Sequence, residues 1–133
     1  MPRLVVDAMN VIGSRPTGWW RDRSGAVLEL LGRLQRLVAT TGDGVVLVLD
    51  SPQPDPGEGI HDGVQVAHAT RRGRDAADDR IVSLVADDPD PSDLLVVTSD
   101  RALRRRVTDL GAEACGTGEL LRRLDELGAA DGS

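Results

Sequence analysis

Four short runs dense in Val and Leu punctuate the chain: "RLVVD" (3–7), "VVLVLD" (45–50), "VQVAHA" (64–69) and "LLVVTSD" (94–100), with a weaker fifth, "AEAC" (112–115). Runs this apolar suit strands covered on both faces, as in a parallel sheet. Between them, apolar residues recur at three- and four-residue steps, which predicts helices. Ser24 is placed to cap the first, which turns Val27, Leu30, Leu31, Leu34, Leu37 and Val38 inward and ends at Gly42. A second carries Ala77, Ile81, Leu84 and Val85 as its buried stripe, and a third, after Asp100, carries Leu103, Val107 and Leu110. Thr117 caps a last helix with Leu120, Leu121, Leu124 and Leu127 inward and a Glu119–Arg123 pair outside. This alternation predicts an α/β fold, a three-layer Rossmann-like sandwich around a mainly parallel sheet of about five strands. Residues 1–128 form the domain and 129–133 a flexible tail, while "SPQPDPGEGIHDG" (51–63) replaces a helix with a loop, either a lid or slack.

Bulk properties narrow the class. A chain of 133 residues with 40% hydrophobic content makes one domain with one core. No apolar run approaches the roughly 20 residues that span a bilayer, and "MPRLVVDAMN" lacks a signal peptide's layout, so a cytoplasmic protein away from membranes is expected. The single Cys115 has no partner for an internal disulfide and reads as a buried thiol. A net charge of -6 argues against coating nucleic acid by bulk charge neutralisation, but leaves room for a local basic surface.

The aspartates carry the chemistry. Asp75, Asp78 and Asp79 stand at i, i+3 and i+4 of one helix, where they must sense one another. Capping a helix start accounts for one or two of them. Ligands of open α/β sheets bind at the carboxyl ends of strands, and Asp7, Asp50 and Asp100 end the first, second and fourth runs. All six acids therefore share one edge. The run "ADDPDPSD" (86–93) enters the fourth strand at its amino end and reads as a solvated turn on the opposite edge. Two carboxylates at about 4 Å repel by about 4 kcal/mol at an effective dielectric of 20. An oxygen-only cluster without His or Cys suits Mg²⁺ or Mn²⁺, which turns that repulsion into shared attraction.

The residues also match a known pattern. "LVVDAMNVIG", then "DAADDRIV", "LLVVTSDRALR" and "LGAEACGTGELLRRL", in this order, resemble the YacP-like NYN domains of the PIN-like nuclease superfamily over roughly residues 3 to 128. The Asp-x-x-Asn of Asp7 and Asn10, the Ala-Asp-Asp at 77–79 and the Thr-Ser-Asp-Arg at 98–101 are its most specific parts. The resemblance implies a sheet whose first strand lies beside the fourth, and a metal-dependent ribonuclease. It implies Asp7, Asp78, Asp79 and Asp100 as the acidic metal cluster, with Asn10 as its polar companion and Asp79 a direct ligand or one acting through water. Asp75 precedes the motif proper.

The expected reaction is in-line hydrolysis of an RNA phosphodiester, endonucleolytic, with Mg²⁺ or Mn²⁺ as cofactor and no His required. His68 reads as a packed or edge residue, and His61 receives no role. Arg15, Arg71, Arg72 and Arg74, with Arg101, Arg104 and Arg105 after the fourth strand, are candidates for gripping RNA phosphates. Trp19 and Trp20 are the only Phe, Trp or Tyr residues and either stack on a base or pack over the sheet. Ribosome or RNA-processing partners and the oligomeric state stay open. A non-catalytic RNA-binding or protein-interaction module on the same fold, or a PIN-type toxin, is the alternative. Haloacid-dehalogenase chemistry needs a second acid where Met9 stands, a receiver domain needs a Lys that the chain lacks, and no Gly-rich loop for a dinucleotide follows the first strand.

Overall fold

The computed structural model describes residues 3–15, 17–73 and 75–131. The strands are β1 (Arg3–Asp7), β2 (Val45–Leu49), β3 (Gly59–His61), β4 (Val64–His68), β5 (Leu94–Val97) and β6 (Glu113–Cys115). The helices are α1 (Ala8–Gly13), α2 (Arg23–Thr41), α3 (Ala76–Asp87), α4 (Arg101–Asp109) and α5 (Thr117–Asp131). The sheet order is β3-β4-β2-β1-β5-β6, parallel throughout except for β3, which pairs antiparallel with β4.

Alternation along β1 sorts the two cores. Leu4 and Val6 face the layer built from α1, α2 and α5, while Val5 faces the layer built from α3 and α4. Each layer seals its side with the predicted stripes: Leu30, Leu34 and Leu37 of α2 on one, Ile81 and Val85 of α3 with Leu103 and Val107 of α4 on the other. From β1 the chain builds outward through β2 and β4, then crosses back through α3 to lay β5 on the opposite side of β1. The strand order therefore reverses between β1 and β5, and the crevice at their carboxyl ends is where α/β sheets bind ligands.

Local signals explain most boundaries. Gly42 takes a left-handed φ of 74° as it ends α2, and its N–H closes on the Val38 carbonyl. The cap at the other end is Asp22 rather than Ser24, because the Asp22 carboxylate accepts the Gly25 N–H at 2.9 Å. Leu110 is 39% exposed: α4 stops at Asp109, so the predicted stripe runs one turn short. Two elements were not expected. A short helix, α1, follows β1 directly, and residues 59–61 of the expected loop form edge strand β3, whose Ile60 is 78% exposed.

The acidic turn at 86–93 is more than solvated surface. Arg3 at the start of β1 grips both Asp88 oxygens at 2.8 Å and Asp93 at 2.7 Å, which holds the Asp88 carboxyl below its usual range. Arg123 of α5 reaches Asp43 at 3.7 Å. No helix among the described residues is long and apolar enough to cross a membrane.

Candidate active site

Asp7 is the last residue of β1, a central strand flanked on both sides, and alternation points it with Val5 toward the α3–α4 layer. It is only 5% exposed. It stands at the N-cap of α1 but makes no capping hydrogen bond with its side chain. The register aligns Val6 with Val97, which brings the next residue, Thr98, beside it. The buried Thr98 hydroxyl donates to Asp7 Oδ2 at 3.1 Å and accepts the Asp100 N–H at 3.2 Å. One hydroxyl thus ties the end of β1 to the start of α4.

Two further aspartates lie near enough to act on this carboxylate. Asp100 caps α4, with Oδ1 accepting the Leu103 N–H at 3.1 Å, and Asp78 lies in the first turn of α3, half-buried. Burial is the main influence on Asp7 and raises it to about 6; Asp78 and Asp100 push the same way, while the Thr98 hydroxyl and the Asn10 backbone oppose them. Asp78 is raised as well, first by burial, then by Asp100 and Asp75, with Arg106 pulling against them. Asp75 precedes α3 with a left-handed φ of 61° and makes no capping hydrogen bond. It acts on Asp78 more strongly than Asp79 does. Capping therefore explains part of Asp100 but leaves Asp75 without a structural role of that kind.

Asn10 pins the same crevice from α1: its Oδ1 accepts the Ser99 N–H at 2.8 Å. Ser99 is held on the other side by Thr117, hydroxyl to hydroxyl at 3.1 Å. The loop presenting Asp100 is therefore braced by α1 and α5 together.

Other expected site residues lie elsewhere. Asp79 turns outward and bridges Arg71 at 2.6 Å and Arg106 at 3.3 Å, which lowers its carboxyl. Asp50 follows the end of β2, where strand alternation has ceased, and pairs with Arg23 of α2 at 2.8 Å. Arg15 pairs with Asp125 of α5 at 2.7 Å, together with Arg33, away from the acidic group. Arg72 donates to the Pro52 carbonyl at 3.3 Å, Arg101 is exposed and Arg104 half-buried on α4, and Arg74 lies outside the described residues. Thr98 and Arg106 received no role from sequence. Thr98 sat unassigned inside the Thr-Ser-Asp-Arg stretch, and Arg106 flanks the buried stripe of α4 three residues after Leu103.

The loop at 51–58 is tied down: His68, buried in β4, bonds the Pro56 carbonyl at 2.8 Å, and His61 bonds that of Gly57 at 2.6 Å. Both histidines are thus structural. The two tryptophans separate. Trp19 packs its ring near Gly13, while Trp20 is 58% exposed, edge-on to Trp19 at 6.1 Å, with the Arg21 guanidinium 6.0 Å from its ring.

The sequence profile of the YacP-like NYN domain matches residues 4–131. The chain belongs to the YacP-like NYN domain family. This family has a PIN-like nuclease fold and supports ribonuclease-type chemistry. Among curated proteins, none matches the sequence significantly. The crystal structure of Rae1 (YacP) from Bacillus subtilis is similar, with a TM-score of 0.78 and 25% identity over 98% of this chain and 77% of that one. A tryptophan-to-leucine mutant of the same protein gives a TM-score of 0.79 and 25% identity, with 98% and 79% covered.

NYN and PIN-like nucleases generally use divalent metals, and whether this chain suits one depends on the donors its acidic crevice offers. Among the described residues, no three Asp, Glu, His or Cys side chains stand close enough to enclose an ion between them. Mg²⁺ needs no such cage, because it keeps several waters and binds through one or two carboxylates plus substrate phosphate. Asp7 is the telling group: a buried carboxylate whose strongest neighbours include two other acids and no cation. Either a proton or an external positive charge stabilises such a group. The oxygen-only donor set fits a hard divalent ion.

Thr98 gives a direct test of the brace. Thr98→Val is expected to destabilise the fold by about 1–3 kcal/mol, since the buried Asp7 oxygen and the Asp100 N–H both lose their partner. Thr98→Ser is expected to recover most of it. Urea unfolding measures both, and a valine variant as stable as wild type would show that the hydroxyl bridges nothing of consequence.

Proposed function

We propose that this NYN domain is a divalent-metal-dependent ribonuclease that hydrolyses internal RNA phosphodiester bonds in the cytoplasm. The observation that supports this most is Asp7, buried at the point where strand order reverses and near enough to Asp78 and Asp100, both remote in sequence, for each to raise its carboxyl. One or two of Asp7, Asp78 and Asp100 would hold Mg²⁺ or Mn²⁺ together with its waters and a substrate phosphate, with Asp75, which acts on Asp78 more strongly than Asp79 does, as the further acid. When bound, such an ion supplies a water of lowered pKa and positive charge against the phosphoryl oxygens.

The chain's own residues do the rest. Thr98 orients the Asp7 carboxylate and fixes the start of α4. Asn10 holds the Ser99 backbone, so that Asp100 keeps its direction through the reaction. Arg71, Arg72, Arg101 and Arg104 offer cationic groups to RNA phosphates flanking the acids, and the exposed Trp20 offers its ring to a base. The buried histidine His68 has its ring nitrogen committed to Pro56 and takes no proton from substrate.

The test is incubation of a mixed RNA pool and a circular RNA with wild-type protein in Mg²⁺, in Mn²⁺ and in chelator. Linearised circles and products bearing 5′-phosphates, formed with metal and absent with chelator, are the expected outcome. Chelator-insensitive cleavage would overturn the metal dependence, and binding without cleavage would make the chain an RNA-binding module.

A further inference from the structure

Asp79 sits one residue from Asp78 yet behaves unlike it. Its carboxylate, 49% exposed, receives Arg71 Nη2 on one oxygen at 2.6 Å and Arg106 Nη1 on the other at 3.3 Å. The two arginines arrive from separate elements, one from the loop after β4 and one from α4. Exposed ion pairs add little to stability because water and salt screen them, so a three-residue bridge here is poorly explained as a folding device. Its location is better explained by ligand binding. Asp79 adjoins Asp78 in the first turn of α3, and Arg106 comes from α4, the helix that Asp100 caps, which puts the bridge on the rim of the acidic group.

We infer that Asp79 is a positioning residue, not a metal ligand: it holds Arg71 and Arg106 as a two-guanidinium clamp for an RNA phosphate beside Asp78. This rests on the ribonuclease reading above. A guanidinium carries five N–H donors in a planar fork, and the bond from Arg106 to Asp79 engages one of them. The remaining donors of Arg106 suit a phosphodiester oxygen pair. Without such a clamp, an acidic centre repels the polyanion it is meant to cut. Holding the side chains in advance reduces the ordering cost when RNA arrives.

The experiment measures two affinities separately for Asp79→Asn, Asp79→Glu and Arg106→Ala. One is for a short labelled single-stranded oligoribonucleotide in chelator, across a salt series; the other is for Mn²⁺ without RNA. Expected are a roughly tenfold weaker RNA affinity for Asp79→Asn and Arg106→Ala, substantial recovery in Asp79→Glu, and Mn²⁺ affinity within about twofold of wild type. Arg106→Ala should also reduce the slope of log affinity against log salt by about 0.7, the value for one lost contact to a single strand. A tenfold or greater loss of Mn²⁺ affinity in Asp79→Asn with unchanged RNA binding would overturn the inference and make Asp79 a ligand. Unchanged RNA affinity and salt slope in Arg106→Ala would overturn it too. Should wild type cut no RNA while these binding losses are seen, the clamp stands and the ribonuclease reading fails.

Discussion

Asp7→Asn is expected to make the metal-free protein more stable by up to about 3 kcal/mol at about pH 8, the reverse of what removal of a buried, hydrogen-bonded residue normally does. The sign follows from its ionisation. Unfolded, the carboxyl titrates at 3.8; folded, burial and the neighbouring acids raise it to about 6. Below the unfolded value it is neutral in both states. Between the two, the folded protein binds the extra proton, so stability falls as pH rises; above about 6 the charge is present in both states and the fold bears the full cost. Asparagine removes the charge and keeps an oxygen for the Thr98 hydroxyl.

The stability difference between variant and wild type is therefore expected to vanish near pH 4 and to grow through about pH 6. Taking that difference isolates Asp7 from Asp79, Asp88 and Asp125, whose carboxyls are lowered by arginines and act in the opposite direction, favouring the fold above their unfolded values and losing that effect in acid. Mg²⁺ at about 100 times its dissociation constant is expected to stabilise wild type by about 2.7 kcal/mol and the variant far less. Chemical unfolding across pH, with chelator and with Mg²⁺, measures all of this. A variant destabilised at every pH, with a wild type indifferent to Mg²⁺, would return Asp7 to an ordinary structural role.

Much of this arrangement was legible in the chain. The Val- and Leu-rich runs at 3–7, 45–49, 64–68 and 94–97 became strands because a residue alternating between two apolar layers must be apolar on both faces. The stripe from Val27 to Leu37 became the inner face of α2, and Cys115 and His68 are buried as expected. What escaped has a common cause. Strand β3 is three residues at an antiparallel edge, and Ile60 faces solvent, so no burial pattern marks it. Helix α1 has six residues, too few for a periodic signal to emerge.

At the site, the positions of the acids were readable but their counter-ions were not. Sequence places Asp7, Asp50, Asp75, Asp78, Asp79 and Asp100 on one edge, each near the carboxyl end of a strand or the start of a helix. The fold divides them by which arginine comes near: Arg23 takes Asp50, and Arg71 with Arg106 takes Asp79. Arg106 is 27 residues from Asp79, and Arg3 is 85 from Asp88. Pairing at such separations is decided by helix packing and register, which no local pattern encodes. Asp7 and Asp78 are left as the raised pair.

Asp78→Asn separates this account from its rivals in one comparison. Asp78 is half-buried beside Asp7, Asp75 and Asp100, so loss of its charge relieves repulsion and is expected to leave the metal-free fold at least as stable as wild type. RNA binding in chelator is expected to hold or tighten, because one negative charge has gone from the path of the polyanion. Turnover is expected to fall by at least about 10²-fold, because the ion that would offset charge developing on the phosphoryl oxygens loses a carboxylate that helps to hold it. The decisive measurement is the RNA cleavage rate of wild type and Asp78→Asn side by side in Mg²⁺, with chelator as the control. Metal-dependent cleavage by wild type and its near-complete loss in a folded, RNA-binding variant is the predicted result; equal rates for the two proteins would contradict it.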